Sequence, residues 1–314
     1  MIKLNIDIKN ENLNNVLGEL NKNLKTIKHF FNTEIIVNHD GIYVKDALKA
    51  ELIEKVFTVL FILSSNKISF RERDVSYISS LVDKMDISDI TDFYISRKEI
   101  IKNYSGKPLY PKTISQDLYL KELDKNDLIL SIGPAGVGKT YVACLDAIRR
   151  FKRGEYTKII LSRPIVEAGE SLGYLPGEIK EKVDPYLIPL YDCLYELLSK
   201  RVVDEYIENG LIEIAPLAYM RGRTLENSYI ILDEAQNATI SQMKLFLTRL
   251  GFNAKMVVTG DLSQTDLKNK NDSGLNYAVK RLNDIPGIKI IEFDKLDVVR
   301  NPLVQKIIER FEDD

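Results

Sequence analysis

The stretch SIGPAGVGKTYVA, from Ser131 to Ala143, decides the fold of this chain and raises the question of its function. Gly133, Gly138, Lys139 and Thr140 satisfy the pattern G-x-x-x-x-G-K-[ST]. The apolar run DLILSI precedes this pattern and the helical sequence TYVACLDAIRR follows it, which is the strand–turn–helix context that a phosphate-binding loop requires. The alternative is a glycine-rich turn with an incidental lysine.

Each residue type in the loop has a physical role. Glycines allow positive φ, so that successive N–H groups turn toward one point, and the following helix presents its positive end there. Lys139 reaches the β- and γ-phosphates, and the Thr140 hydroxyl is placed to hold Mg²⁺. We predict that the nucleotide cradle consists of Gly133, Pro134, Ala135, Gly136, Val137, Gly138, Lys139, Thr140 and Tyr141.

Two later apolar runs end in polar residues that complete a hydrolytic site. YIILDEAQ places Asp233 and Glu234 at a strand end, where Asp233 can hold Mg²⁺ and Glu234 can act as general base. This acidic pair favours hydrolysis over phosphoryl transfer to a metabolite, although it would also cap a following helix. In VVTGDLSQ, Gly260 and Asp261 are followed by Gln264, which we expect to sense the γ-phosphate.

The composition is that of an ordinary globular protein. The 314 residues are 45% hydrophobic and 29% charged, and the net charge of -2 excludes a global basic field. The start resembles no signal peptide, and the longest apolar run, Val56–Leu63, is too short to cross a bilayer. We therefore expect a cytoplasmic protein without membrane contact. Cys144 and Cys193 belong to no metal or redox motif, so we interpret both as reduced thiols.

Hydrophobic periodicity predicts two domains. Residues 1–68 read as a small α+β domain, with one amphipathic helix over 13–31 and a hairpin that turns at Asp40-Gly41. We interpret residues 69–105 as a connection. From 106 to 314, β-branched runs alternate with helical stretches, which predicts an α/β domain with a parallel sheet covered by helices on both faces.

Five segments, in this order, closely resemble the bacterial PhoH-like ATPase family: GPAGVGKT, SRPIVEAGESLGYLPGEIKEKVDPYLIPLYD, APLAYMRGRTLENSYIILDEAQN, KLFLTRLGFNAKMVVTGDLSQTDL and DVVRNPLVQKIIERFE. The resemblance begins near Gly106 and reaches the C-terminus. It implies a RecA-like P-loop fold related to superfamily 1 helicases, with ATP and Mg²⁺ as cofactors. It also implies ATP hydrolysis, a role in RNA metabolism, and association with an endoribonuclease that matures ribosomal RNA.

The resemblance also concerns residues outside the phosphate-binding loop, the Asp233-Glu234 pair and the VVTGDLSQ segment. Gln116 matches the position at which helicases read adenine, although it is also a plausible surface residue of a connecting helix. Arg163, Arg221 and Arg223 occupy loops that contact nucleic acid or a neighbouring subunit in helicase-like proteins. Solvated loop arginines are the alternative for these three.

The helicase resemblance also implies an assembly. A helicase site lies between two RecA-like modules, and the residues after IKIIEFD are too few for a second module. We therefore expect a homo-oligomeric ring, such as a hexamer, in which Arg300 reaches the neighbouring site and Arg223 is the second candidate. The alternative is that Arg300 pairs with Asp294 or Asp297 in its own subunit.

The N-terminal part weakly resembles a KH domain. KH domains grip RNA with a GxxG loop, but here the nearest equivalent is GELNKNLK, with a single glycine. Lys22, Lys25 and Lys28 share a helix face and form either a basic ridge or an ordinary solvated surface. His29 and His39 have no companions at metal-ligand spacing.

Two functions are consistent with these sequence features. The first is a Mg²⁺-dependent ATPase whose hydrolysis drives remodelling of RNA or ribonucleoprotein. The second is a nucleotide-gated module that binds RNA or a nuclease, with incidental hydrolysis. A complete unwinding helicase is a third and weaker possibility.

Overall fold

The computed structural model describes residues 1–6, 12–165, 179–267, 269, 272–298 and 310. The described chain forms two compact units, Met1–Lys98 and Glu99–Val298. Among the described helices, none combines the length and the apolarity needed to cross a bilayer.

The first unit is an α+β structure around a three-stranded antiparallel sheet of order β1-β3-β2. The hairpin turn falls where Asp40-Gly41 predicts it, with Asn38 paired to Gly41. The elements of this unit are β1 (Ile2–Lys3), α1 (Leu13–Leu17), α2 (Lys22–Phe31), β2 (Ile35–Asn38), β3 (Gly41–Val44), α3 (Ala47–Ser65), α4 (Glu72–Leu81) and α5 (Ile87–Ser96).

Two features of this unit differ from the sequence expectation. The helix predicted over 13–31 is broken into α1 and α2, because Gly18, Leu20 and Asn21 all have positive φ. The segment 69–105, interpreted as a connection, contains α4 and α5, which pack against α2 and α3 within the first unit. Val75, Ile78 and Ile90 of these helices are fully buried, so this segment is part of a core.

The second unit is built on a six-stranded sheet of order β11-β6-β10-β9-β7-β8, in which all neighbouring pairs are parallel. The sequence predicts these six strands, and the α/β class is confirmed. The elements are β4 (Ile101–Lys102), β5 (Pro108–Leu109), α6 (Ile114–Leu123), β6 (Leu128–Ile132), α7 (Lys139–Lys152), β7 (Lys158–Arg163), α8 (Ile179–Leu197), α9 (Lys200–Glu208), β8 (Ile212–Pro216), β9 (Ser228–Leu232), α10 (Ile240–Leu247), β10 (Lys255–Gly260), α11 (Gly274–Leu282) and β11 (Ile288–Glu292).

Apolar residues fill both faces of the sheet. On one face, Tyr229, Ile231 and Val257 pack in a core with residues of α6, α7, α8 and α9. On the other, Ile230 and Val258 pack with residues of α10 and α11. Burial on both faces explains why the strands read as continuous apolar runs. The order of the strands also places the carboxyl ends of β6, β10, β9 and β7 side by side.

Candidate functional site

Many of the predicted residues line one cavity of the second unit, of about 430 Å³. It lies at the carboxyl edge of the sheet, where ligands bind in folds of this kind. Its lining residues come from the glycine-rich loop, the ends of β9 and β10, and α8; they are Ala135, Gly136, Gly138, Lys139, Thr140, Tyr141, Pro189, Asp192, Cys193, Glu196, Asp233, Glu234, Gly260, Asp261 and Gln264.

The glycine-rich loop has the backbone that its sequence predicts. Gly133, Gly136 and Gly138 have φ of 142°, 88° and 86°. A Cβ on Gly133 would lie 2.6 Å from the carbonyl oxygen of Phe293, so this position has no room for a side chain. α7 begins directly after the loop at Lys139, and its positive end therefore faces the cavity.

Not every residue of the predicted cradle lines the cavity. Gly133 and Pro134 contribute their carbonyl oxygens, which accept hydrogen bonds from Lys139 Nζ at 2.7 Å and 2.8 Å. Val137 is buried in the core of the second unit, and its carbonyl oxygen accepts a hydrogen bond from Gln116 Nε2. Burial lowers the pKa of Lys139, and the carboxylates of Asp261, Glu234 and Asp233 oppose that shift.

Three oxygen-bearing side chains meet beside the lysine. Asp233 Oδ1 accepts hydrogen bonds from Thr140 Oγ1 at 2.5 Å and from Thr259 Oγ1 at 2.8 Å. The two hydroxyl oxygens are 3.2 Å apart. An all-oxygen set with one carboxylate suits Mg²⁺, which is commonly held by one or two carboxylates together with substrate phosphates. Within the described ranges, no group of three or more His, Cys, Asp or Glu residues forms a metal cage.

Glu234 follows Asp233 in a left-handed conformation, with φ 51° and ψ 39°. Its carboxylate is contacted from two sides. Arg163 Nη2, at the end of β7, lies 3.4 Å from Glu234 Oε1, and Gln236 Nε2 donates a hydrogen bond to Oε2. Arg163 also donates from Nη1 to the carbonyl oxygen of Tyr186 in α8, at 3.2 Å. The glutamate is therefore linked to α8 through one arginine.

The turn after β10 contributes a buried carboxylate and an exposed amide. Asp261 is 6% exposed, and its Oδ2 has no hydrogen-bond partner among the described residues. An unpaired buried carboxylate oxygen fits a site that takes a cation or a polar ligand. Gln264 lines the same cavity and is exposed. The backbone N–H of Asp261 donates to Gln236 Oε1 at 3.0 Å, which connects this turn to the one that carries Glu234.

Gln116 lies beside the loop rather than in the cavity. Its side chain is buried, with Nε2 donating to the carbonyl oxygen of Val137 at 2.8 Å. Its Oε1 accepts from the backbone N–H of Lys112 at 2.8 Å. Both ends of the amide thus hold the protein's own backbone, so reading adenine would require these hydrogen bonds to be exchanged.

The remaining arginines have different surroundings. Arg223 forms a two-pronged pair with Glu213, at 2.5 Å and 2.9 Å. This pairing, together with the hydrogen bond from Lys158, lowers the pKa of Glu213 to about 2. Such a pair would have to open before Arg223 could act elsewhere. Arg221 is exposed next to Gly222. Arg300 lies outside the described residues.

Sequence reasoning missed the contributions of Thr259 and α8. Thr259 stands in VVTGD, but its contact with Asp233 follows from β10 lying between β6 and β9, and strand order is not written in the sequence. In α8, Asp192 and Glu196 line the cavity one turn apart, and Glu196 accepts a hydrogen bond from Tyr141 Oη at 3.3 Å. Both cysteines are free thiols; Cys193 lines the cavity and Cys144 is buried in α7.

Comparisons with known proteins show the family to which the chain belongs. A family model described as PhoH-like protein matches residues 108–312. The chain belongs to the PhoH-like protein family. It is 46% identical to a PhoH-like protein of Bacillus subtilis over 99% of this chain and 98% of that protein. It is 40% identical to a PhoH-like protein of Mycobacterium tuberculosis (99% and 88%), and 38% identical to Protein PhoH of Escherichia coli (80% and 69%).

Proposed function

We propose that this PhoH-like protein is a Mg²⁺-dependent ATPase that couples hydrolysis to the remodelling of RNA or ribonucleoprotein. One observation gives the main support for ATP hydrolysis. Lys139, the Thr140–Asp233–Thr259 cluster and Glu234 come from three strand ends and line or adjoin the same cavity. This is the set of groups that phosphoryl transfer to water requires: a cation for the phosphates, oxygen ligands for a metal, and a base.

The chemistry assigned to each residue follows from its position. Lys139 exchanges its two carbonyl acceptors for phosphate oxygens, and loop N–H groups at the start of α7 bind the same phosphates. Asp233 and Thr140 hold the metal, and bound Mg²⁺ would supply positive charge against the β- and γ-phosphates. Glu234 accepts a proton from the attacking water, and Gln264 contacts the γ-phosphate.

Arg163 has a positioning role in this proposal. It contacts both Glu234 and the backbone of α8, a helix that lines the cavity. A shift of α8 would therefore move the general base, which supplies a physical route by which nucleotide state is communicated to a bound partner.

The RNA function, the partners and the assembly belong to the same proposal. Family membership supports a role in RNA metabolism, with an rRNA-maturing endoribonuclease as partner. In this proposal Lys22, Lys25 and Lys28 of the first unit form one contact surface. A homo-oligomeric ring would bring an arginine to each site from a neighbour, with Arg300 as first candidate. Arg223 is the second candidate, because it already forms an ion pair with Glu213.

The competing function is a nucleotide-gated binding module. The contacts of Arg163 and Gln236 with Glu234 favour it, because a carboxylate held by protein groups is less available to activate water. In that case ATP binding orders a surface for RNA or a nuclease, and turnover is incidental.

Glu234→Gln separates the two functions. If the protein is an ATPase, the Glu234→Gln variant should keep its affinity for ATP. Its turnover should fall by about 100-fold or more, because the amide cannot take a proton. Its cellular activity should be lost as well. Glu226→Gln, an exposed glutamate outside the cavity, serves as control. Normal cellular activity of Glu234→Gln would contradict the ATPase proposal and support the gated module.

A further inference from the structure

The two cysteines of this chain, Cys144 and Cys193, lie far apart in the sequence and meet in the second unit. Cys144 belongs to α7 and Cys193 to α8, and these two helices pack against each other. The two thiols are in hydrogen-bonding contact, and both side chains belong to the same apolar core. Two thiols in contact on different helices can be joined by a disulfide.

The two thiols differ in how a solute can reach them. Cys193 is half-buried and lines the cavity of the candidate site, together with Lys139 and Thr140. Cys144 is only 1% exposed. The contact with Cys193, together with burial, raises the pKa of the Cys144 thiol, which therefore stays protonated. A small oxidant that enters the cavity meets Cys193 first.

The position of Cys193 in α8 connects it to the proposed general base. α8 contains Pro185 and Pro189, and a proline inside a helix removes a backbone hydrogen bond and allows a bend. Between them, the carbonyl oxygen of Tyr186 accepts the hydrogen bond from Arg163, which also contacts Glu234. Cys193 follows the second proline. A covalent bond from Cys193 to α7 would therefore hold this part of α8 against the helix that begins at the phosphate loop.

We infer that Cys193 is a site of oxidation by peroxides, and that Cys144 then forms a disulfide with it. The disulfide ties α8 to α7 at the wall of the cavity and slows ATP turnover. The effect on turnover rests on the proposed function, whereas the oxidation itself does not.

The chemistry takes two steps and consumes one hydrogen peroxide. In the first, the sulfur of Cys193 attacks one peroxide oxygen, the O–O bond breaks, and the leaving oxygen departs as water with the thiol proton; Cys193 becomes a sulfenic acid. In the second, the sulfur of Cys144 attacks that of Cys193, and the hydroxyl leaves as a second water with the Cys144 proton. The two thiols together supply the two electrons that reduce the peroxide.

The test treats full-length protein with a small excess of hydrogen peroxide, followed by alkylation and peptide mass spectrometry. We expect a cross-linked peptide pair that contains Cys144 and Cys193 and is released by dithiothreitol. Mg²⁺ with ADP should slow its formation by about fivefold or more, because nucleotide in the cavity covers Cys193. ATP turnover of the oxidised protein should fall about tenfold and recover with dithiothreitol.

Two variants separate the roles of the cysteines, each compared with its own reduced form. Cys144→Ala should stop at the sulfenic acid of Cys193, which dimedone traps for mass spectrometry. Cys193→Ser should leave Cys144 unmodified, because that thiol is buried. Peroxide should then change the turnover of Cys193→Ser by less than about twofold, which also controls for oxidation of methionines.

The inference is overturned if peroxide yields no cross-link between Cys144 and Cys193, or if dimedone labels Cys144 in place of Cys193. It is also overturned if the cross-linked protein hydrolyses ATP as fast as the reduced protein, or if Cys193→Ser loses as much turnover as wild type. A reduced protein without ATPase activity would contradict the proposed function instead. The cross-link and its protection by Mg²⁺ and ADP would then still test the oxidation of Cys193.

Discussion

At the residue scale, Glu234 is held in an unusual backbone conformation and by two neighbouring side chains. A non-glycine residue at φ 51° is uncommon, and here the left-handed backbone turns the side chain directly after a buried strand. The carboxylate is then contacted by Arg163 and Gln236, from two different segments. The orientation of the proposed base is therefore set by its neighbours, and changing one neighbour should change turnover more than binding.

Arg163→Ala should lower kcat for ATP about tenfold, equivalent to about 1.4 kcal/mol of activation free energy, with little change in ATP affinity. Arg163→Lys should restore part of the loss, because a cation returns near Glu234. Arg153→Ala is the control, since Arg153 is 61% exposed and, among the described residues, pairs only with Glu155, at 3.8 Å. Steady-state kinetics and equilibrium binding are measured together. Equal losses in kcat and affinity would contradict a positioning role.

At the element scale, α7 connects the phosphate loop to the core of the sheet. Its residue Asp146 is fully buried and pairs with Arg149 and Arg150. Asp146 Oδ2 also accepts a hydrogen bond from Tyr229 Oη, at 3.0 Å, on β9. Because α7 starts with Lys139 and β9 leads to Asp233, this buried network fixes the two halves of the proposed site relative to each other.

Asp146→Ala should destabilise the protein by about 3–5 kcal/mol, because it leaves buried groups without their partner. Asp124→Ala is a matched control. Asp124 pairs with the same two arginines but its side chain is 56% exposed, so its loss should cost about 1 kcal/mol or less. Urea unfolding followed by circular dichroism measures both. Equal destabilisation by the two variants would show that burial of the carboxylate is not what matters.

Much of the element pattern could be predicted, and the exceptions have physical reasons. The six parallel strands can be recognised in the sequence as apolar runs, because both of their faces are buried. The break between α1 and α2 cannot be recognised in this way. Leu20 and Asn21 adopt positive φ although the helical spacing of apolar residues continues through them. The sequence leads us to interpret residues 69–105 as a connection, yet α4 and α5 in this segment bury Val75, Ile78 and Ile90 in the first unit.

For the candidate site as well, the sequence predicts some of the residues but not their contacts. Lys139, Asp233 and Glu234 could be found because motif and strand end coincide in the sequence. Thr259 and Arg163 could not be assigned to them, because those contacts depend on which strands are neighbours. The position of Gln116 in the sequence predicts a contact with adenine, whereas its amide is hydrogen-bonded to the backbone of Val137 and Lys112.

At the scale of the whole molecule, the proposed assembly makes its own prediction. If an arginine acts across a subunit boundary, specific ATPase activity should rise with protein concentration, in step with oligomer formation measured by light scattering. Mixing Lys139→Ala with Arg300→Ala subunits should restore activity that neither variant has alone, because some interfaces then contain both residues. Constant specific activity from a monomer would contradict the shared site.

The central claim is that three separate segments of one unit bind one triphosphate, and a crystal structure with Mg²⁺ and a non-hydrolysable ATP analogue tests it most directly. We expect Lys139 Nζ to leave the carbonyls of Gly133 and Pro134 for the β- and γ-phosphates. The cation should lie beside Thr140 and Asp233, and Glu234 should face the γ-phosphate. An analogue bound elsewhere, or Lys139 still held by the two carbonyls beside a bound analogue, would contradict the account.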